Sequence, residues 1–216
     1  MIAKLEAYGF HKDAIKLLHS YLTDRKQRVK VGSAYSSWRD VLRGVPQGSV
    51  LGPLLFNIFI NDLLLFIEKC SISNFADDNT LYKCGFELRD VITALEDDLT
   101  VIQKWFSDNS MIANPSKYQF MILGAKLRYK LKLQIGNKTV IAVKQVKLLG
   151  IIIDDKLKFH NHIRTICTKA GNRANALNRI CHILDTHESM LLFNTFFDST
   201  FNYCPLVWAF CTKKIK

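Results

Sequence analysis

The sequence predicts an α+β fold in which antiparallel strands carry helices on one face and a helical segment follows. The first observation is a stripe of apolar residues at helical spacing from Glu87 to Asn109, which predicts a long amphipathic helix. The second is a pair of alternating segments around Gly136-Asn137, which is typical of a β-hairpin. The third is the return of helical spacing from His160 onward. Short paired strands between long helices favour α+β.

The first part of the chain predicts two short helices and a basic hairpin. Apolar residues recur at helical spacing within residues 1–22, and Gly9 interrupts them. Gln27 to Gly32 alternates basic and apolar residues like a half-buried strand, and Tyr35 to Leu42 is its predicted partner. Further along, we expect strands at Tyr118 to Leu123 and at Val146 to Ile153.

Composition excludes several classes of protein. About half of the 216 residues are apolar, which excludes a disordered chain. The apolar run Val50 to Ile67 is broken by polar residues and Pro53, so it predicts a buried helix and no membrane span. The first ten residues lack the apolar core of a signal peptide. The six cysteines have no C-x-x-C spacing, and we therefore expect an intracellular protein without secreted-type disulfides.

The net positive charge lies in the second part of the chain. Residues 1–124 contain 14 basic and 14 acidic side chains, whereas residues 125–216 contain 16 basic and 5 acidic ones. Such an excess suggests a polyanionic partner, and nucleic acid is favoured over a membrane because no amphipathic anchor is visible. Ordinary solvated lysines are the alternative.

Two adjacent carboxylates, Asp77 and Asp78, lie between two short β-type segments. We predict a hairpin with a tight Asp-Asp-Asn turn at its tip. Like charges repel, and a Mg²⁺ ion bound by both carboxylates would remove that penalty. A solvated turn is the alternative. We expect Asp97 and Asp98 to be solvated on their helix, and Asp154-Asp155 to form a turn and helix cap.

A glycine-rich loop precedes the apolar helix. It contains Gly44, Pro46 and Gly48, and Gly48 permits a ligand to approach the backbone closely. Ser49 can cap the helix, and Pro53 fits its first turn because an N–H is not needed there.

The Gly44 to Leu63 block, followed by Phe75-Ala76-Asp77-Asp78, resembles the palm of a reverse transcriptase of the non-LTR (LINE-like) retrotransposon kind. The resemblance implies an RNA-directed DNA polymerase that uses two Mg²⁺ ions, an RNA template, a DNA primer and deoxynucleoside triphosphates. Asp77 and Asp78 would be catalytic metal ligands. Pro46, Gln47 and Gly48 would contact template and nucleotide, and Phe75 stands where relatives often have tyrosine.

The same resemblance extends to later positions. Lys117 would lie beside the triphosphate and protonate the departing pyrophosphate, although a surface lysine without a role fits equally well. Leu149 and Gly150 match the primer-contacting block. The resemblance implies a partial palm over residues 1–155 and a basic, incomplete thumb-like segment over residues 156–216. In that segment three cations would contact the nucleic-acid backbone: Arg164, Lys169 and Arg173.

A further metal-binding Asp of the family has no match in this sequence, so the site lacks one carboxylate ligand. We therefore expect a truncated polymerase without fingers, weak or inactive by itself. The rival hypothesis is a non-catalytic nucleic-acid-binding remnant of a retrotransposon. A zinc site built from the histidines and cysteines of residues 160–187 is disfavoured because the spacings match no common site, so core cysteines and surface histidines are expected there.

Overall fold

The computed structural model describes residues 1–124 and 131–210. The described chain combines helices with antiparallel two-stranded hairpins, which confirms the predicted α+β class. It divides into two units, residues 1–113 and residues 114–216. Among the described residues, no helix is both long enough and apolar enough to cross a bilayer.

The first unit begins with the two predicted helices and the basic hairpin. Gly9, with a φ of 79°, separates the helices because it adopts the left-handed backbone that favours glycine. In chain order the elements are α1 (Ile2–Ala7), α2 (Lys12–Leu22), β1 (Lys26–Gln27), β2 (Lys30–Val31), β3 (Ala34–Tyr35) and β4 (Arg39–Asp40). Strand β1 pairs with β4, and β2 pairs with β3.

The rest of this unit forms its core. Its elements are α3 (Leu51–Ile60), a 3₁₀ helix (Asn61–Phe66), β5 (Ser71–Phe75), β6 (Asp78–Tyr82) and α4 (Leu88–Asp108). Helix α4 matches its predicted bounds within one residue at each end. Its apolar stripe packs against α3, the 3₁₀ helix and the β5–β6 hairpin, and four buried side chains form the centre: Ile60, Leu63, Ile102 and Trp105. Burial of such side chains is the main favourable contribution to folding.

The second unit begins with a 3₁₀ turn and two hairpins and continues with helices. A 3₁₀ turn (Pro115–Lys117) precedes β7 (Lys132–Ile135), β8 (Lys138–Ile141), β9 (Gln145–Leu148) and β10 (Ile151–Asp154). Helix α5 (His160–Ile180) is followed by a 3₁₀ turn (Cys181–Ile183), α6 (Thr186–Phe193), a π-helix (Asn194–Asp198), α7 (Ser199–Phe201) and α8 (Leu206–Ala209). The predicted hairpin at Gly136-Asn137 is β7–β8. Ile163 and Val207 centre a buried cluster.

Two predicted strands are wrong. Tyr118 to Leu123 forms no regular strand. Its Phe120 O accepts one backbone hydrogen bond, from Val143 N–H at 2.8 Å. The segment from Val146 to Ile153 is two strands, β9 and β10, paired antiparallel around Leu149-Gly150. Both turn residues have positive φ, 47° and 85°, which reverses the chain within a segment that is apolar except for Lys147.

Candidate active site

The predicted acidic hairpin exists, with its turn one residue earlier than expected. Phe75 pairs with Asp78, so Ala76 and Asp77 form the turn and Asp78 opens β6. Ala76 has a φ of 52°, in the left-handed region that alanine adopts at a cost of about 1 kcal/mol or more. Backbone strain of this kind clusters at functional sites. The two carboxylates thus differ: one belongs to the turn and the other to a strand.

The hairpin has one half-buried face and one exposed face. Ile72 and Leu81 pair across the strands and pack against the core of the first unit. On the other face Phe75 is 66% exposed beside Asp78, and Asp77 at the tip is also exposed. A folded core therefore supports the strands while the carboxylates stay accessible to solvent.

Asp98 anchors the base of this hairpin. Its carboxylate is 3% exposed and accepts bonds from the backbone N–H groups of Lys69 (3.0 Å) and Cys70 (2.7 Å), the two residues ahead of β5. The prediction that Asp98 is solvated is therefore wrong. Burial raises the pKa of the Cys70 thiol to about 11, and the Asp98 carboxylate contributes to that rise.

A signal for Asp98 was present in the sequence. Leu95, Asp98, Ile102 and Trp105 follow helical spacing, so Asp98 lies on the buried stripe of α4. Asp97 is exposed as predicted, and its carboxylate lies 2.6 Å from Lys69 Nζ. That hydrogen bond raises the pKa of Lys69.

The glycine-rich loop is held from both sides. The Arg25 guanidinium donates to Gly44 O at its start. At its end Ser49 Oγ donates to Pro46 O at 2.7 Å and accepts from Gly52 N–H at 3.0 Å. Ser49 therefore satisfies a free amide of α3, although the residue at the N-cap of that helix is Val50.

Within the same loop, Pro46 is half-buried, whereas Gln47 and Gly48 are exposed. Gly48 has a φ of 76° and no heavy atom within 4 Å of the position that a Cβ would take. The backbone there is open to a ligand.

An ion pair between α1 and the 3₁₀ helix after α3 was not predicted from the sequence. Lys4 Nζ donates to Asp62 Oδ1 and Phe59 O, both at 2.7 Å. The same ammonium lies 4.3 Å from the centre of the Phe59 ring and 4.5 Å from that of Trp105. Because 58 positions separate the charges along the chain, no local pattern indicates the pair.

The remaining predicted site residues belong to the second unit. Lys117 is exposed and ends the 3₁₀ turn that Asn114 caps. Leu149 and Gly150 form the β9–β10 turn, where Tyr203 Oη donates to Leu149 O at 2.5 Å. Leu149 and Gly150 therefore lie in a turn and not within the continuous strand that the sequence predicts.

Asp154 organises the loop before α5. Its carboxylate accepts from the N–H groups of Lys156 (3.0 Å), Lys158 (3.1 Å) and Phe159 (2.6 Å). Partial burial acts to raise the pKa of Asp154, but these backbone bonds outweigh it and the pKa lies below its ordinary value. The predicted turn is confirmed, although the residue at the N-cap of α5 is Phe159.

The three predicted cations on α5 differ in exposure and in hydrogen bonding. Arg164 and Lys169 are exposed. Arg173 is half-buried, and its guanidinium donates to Phe196 O at 2.6 Å and to Thr200 Oγ1. Arg173 therefore ties α5 to the π-helix and α7, and its Nη1 group is engaged within the unit.

Histidines and cysteines around α5 also depart from expectation. His162 is 5% exposed, not on the surface, and Nδ1 accepts from Ile152 N–H at 3.3 Å. Burial, and then the charge of Lys169, lower the pKa of His162. Cys167 and Cys181 are exposed and not in the core. Asp185 and Glu188 form the predicted capping box on α6.

A Mg²⁺ ion would find oxygen ligands at the hairpin tip. Asp77 and Asp78 are adjacent, exposed and acidic, which suits a hard divalent cation. Within residues 1–124 and 131–210, no cluster of three or more His, Cys, Asp or Glu side chains is present. The described chain thus offers two of the carboxylates that a two-ion site requires.

Comparison with known proteins gives consistent matches. The family profile described as reverse transcriptase (RNA-dependent DNA polymerase) matches residues 1–153. A probable RNA-directed DNA polymerase from transposon BS of Drosophila melanogaster is 31% identical over 74% of this chain and 19% of its own length. The corresponding protein of transposon X-element from the same species is 32% identical over 71% of this chain and 17% of its own length.

A third relative is the RNA-directed DNA polymerase from the mobile element jockey of Drosophila melanogaster, which is 27% identical over 69% of this chain and 17% of its own length. The chain therefore spans about a fifth of the length of these relatives. No solved structure matches it. Because the profile covers more than two thirds of its residues, including Asp77 and Asp78, this chain belongs to the reverse transcriptase (RNA-dependent DNA polymerase) family.

Proposed function

We propose that this chain supplies part of the active site of an RNA-directed DNA polymerase. In the reaction, the primer 3′-hydroxyl attacks the α-phosphate of a deoxynucleoside triphosphate, a new phosphodiester bond forms and pyrophosphate leaves. The observation that carries the proposal is the exposed Asp77-Asp78 pair at the tip of a hairpin whose base is bonded to the core. Rigid presentation of carboxylates is what such chemistry requires.

Asp77 and Asp78 would hold Mg²⁺. When bound, the two ions of such a site activate the attacking hydroxyl and stabilise charge on the leaving phosphate. We propose that a further carboxylate joins these two residues in the assembled site. Asp98 contributes by holding the residues ahead of β5, which sets where β5 and the hairpin tip lie.

Other residues would position the substrates. Gln47 and Gly48 are exposed on a braced loop, which supports template and nucleotide contact next to Pro46. Phe75 exposes its ring beside Asp78 and would pack against nucleotide or template. Lys117 would protonate pyrophosphate.

We propose a palm over residues 1–155 and a basic thumb over residues 156–216. Leu149 and Gly150 would contact the primer, and Arg164 and Lys169 would contact phosphates. Arg173 would also contact a phosphate, after exchanging its present hydrogen bonds to Phe196 O and Thr200 Oγ1 for bonds to the phosphate oxygens. The RNA template, DNA primer and nucleotides are the proposed partners, and membership of a transposon polymerase family supports action inside the cell, in the nucleus or cytoplasm.

Primer extension on an RNA template with Mg²⁺ tests the proposal. Asp77→Asn keeps the shape of the side chain and removes the charge that binds the metal, so extension should be lost. Asp24→Asn is the matched control. Asp24 is exposed with a φ of 53°, and asparagine tolerates that conformation. Equal extension by Asp77→Asn and Asp24→Asn would refute the assignment.

A non-catalytic nucleic-acid-binding protein is the second candidate, favoured by the basic excess of residues 125–216. It predicts salt-sensitive RNA binding that Asp77→Asn leaves unchanged, together with no extension by the unsubstituted chain.

A further inference from the structure

An exposed hairpin ahead of the glycine-rich loop combines cations with aromatic rings. We call residues 26–40 the basic hairpin; every one of them is exposed. The segment contains four basic residues and a single acid, Asp40, which lies 3.8 Å from Lys26 Nζ. Its surface is therefore cationic over most of its length.

A bulge shapes one face of the basic hairpin. Gln27 pairs with Arg39 and Lys30 pairs with Tyr35, so two residues on one strand oppose three on the other. Val29 N–H donates to Ser36 Oγ at 2.9 Å, and Ser36 N–H donates to Val29 O at 3.0 Å, which secures the irregular part. A bulge of this kind twists the strand and changes the direction of its side chains.

Two aromatic rings and two cations of the basic hairpin form a cluster of side chains. The Arg28 guanidinium lies 4.1 Å from the centre of the Tyr35 ring and 4.7 Å from that of Trp38. Lys30 Nζ lies 5.4 Å from the Tyr35 ring. Tyr35 is nevertheless 50% exposed and Trp38 57% exposed, so much of each ring contacts solvent.

Exposed rings beside guanidinium and ammonium groups suit one class of ligand. Proteins that hold single-stranded nucleic acid stack unpaired bases on aromatic rings and attract the phosphates with neighbouring cations. Paired bases within a duplex do not offer their faces to such rings. The cationic excess disfavours a basic or purely apolar partner.

We propose that the basic hairpin is a stacking platform for single-stranded RNA, with Trp38 and Tyr35 contacting bases and Arg28 and Lys30 contacting phosphates. The choice of RNA rests on the proposed function, in which RNA is the template. The base of the platform is bonded to the glycine-rich loop through Arg25, whose guanidinium donates to Gly44 O. Val41 N–H in turn donates to Arg25 O at 2.8 Å.

The test measures binding of the full chain to a labelled single-stranded RNA of about 12 nucleotides, within the usual site sizes of single-strand binders. The same strand as DNA and a blunt RNA duplex are the comparison ligands. No nucleotide is added, so the result does not depend on catalysis and is separate from the extension test of Asp77→Asn.

We expect Trp38→Ala to weaken single-stranded RNA binding about tenfold, the loss typical of one stacked base. Trp38→Phe should retain most of the affinity because it keeps a ring. Phe86→Ala is the control, since Phe86 is a fully exposed aromatic residue outside the basic hairpin. Arg28→Gln should weaken binding and lower the salt dependence by about 0.7 in the logarithmic slope.

Three outcomes would overturn the proposal. The first is an equal effect of Trp38→Ala and Phe86→Ala on RNA affinity. The second is equal loss on single-stranded RNA and on the duplex, which would exclude stacking of unpaired bases. The third is loss on the DNA strand without loss on RNA, which would exclude the RNA template as occupant.

Discussion

Removal of the Asp98 carboxylate should release the base of the acidic hairpin, β5–β6, from α4. Asp98→Ala deletes an acceptor that is 3% exposed and leaves the N–H groups of Lys69 and Cys70 without it. A hydrogen bond to a charged acceptor contributes about 1.5–3 kcal/mol, so losing two should cost about 3–6 kcal/mol of unfolding free energy. Asp98→Asn keeps one acceptor oxygen and should cost about 1–2 kcal/mol.

Urea unfolding measures these free energies, and amide hydrogen exchange at Lys69 and Cys70 locates the change. Asp97→Asn is the control at the neighbouring position. Asp97 is about half exposed and its partner Lys69 is exposed too, so its loss should cost less than either Asp98 substitution. The reasoning is refuted if Asp98→Ala costs no more than Asp97→Asn, or if exchange at both amides is unchanged.

Two further predictions concern packing and pH. At Gly52 a Cβ would lie 2.9 Å from Ser49 Oγ and 3.1 Å from Pro46 O, so Gly52→Ala should destabilise the fold by about 1–3 kcal/mol. Gly171 lies in open space on α5, so Gly171→Ala should stabilise the fold by about 0.5–1 kcal/mol. Thermal unfolding measures both changes, and a shift of the same sign for the two variants would contradict this reasoning. The pKa of His162 is lowered on folding, so the unfolded chain takes up a proton at this residue before the folded chain does as pH falls. The contribution of His162 to the unfolding free energy is therefore complete above about pH 6.5 and is lost as pH falls through the folded pKa. Urea midpoints measured at several pH values from above about pH 6.5 downward should fall with pH. His162→Gln should remove this pH dependence, whereas His187→Gln, at an exposed histidine, should leave it in place.

Local patterns predicted the helices well. Helix α4 and the α6 capping box follow from residues within a few positions of one another, because helical hydrogen bonds join neighbours along the chain. The acidic hairpin was predicted for the same reason. Its exact turn was not, since register depends on which residues pair across the strands, and the Phe75–Asp78 pair makes the turn start at Ala76.

Errors arose where a local pattern fits two structures. A mostly apolar segment such as Val146 to Ile153 suits one strand or two, and the positive φ values at Leu149 and Gly150 make the chain reverse there. Asp98 is buried although its charge predicts exposure, because its helical position faces the core and backbone N–H groups satisfy the carboxylate there.

The sequence by itself determined the family, the acidic pair, the glycine-rich loop and the location of the net positive charge in residues 125–216. These features depend on which residues are present and on short spacings. Tertiary structure alone decided that Asp98 holds the hairpin base, that Lys4 pairs with Asp62, that Arg173 bonds within its unit and that Arg28 lies close to both Tyr35 and Trp38. Most of these contacts join residues that are distant along the chain, and the Arg28 cluster depends on a bulge, so they follow from strand pairing and packing and not from any local pattern.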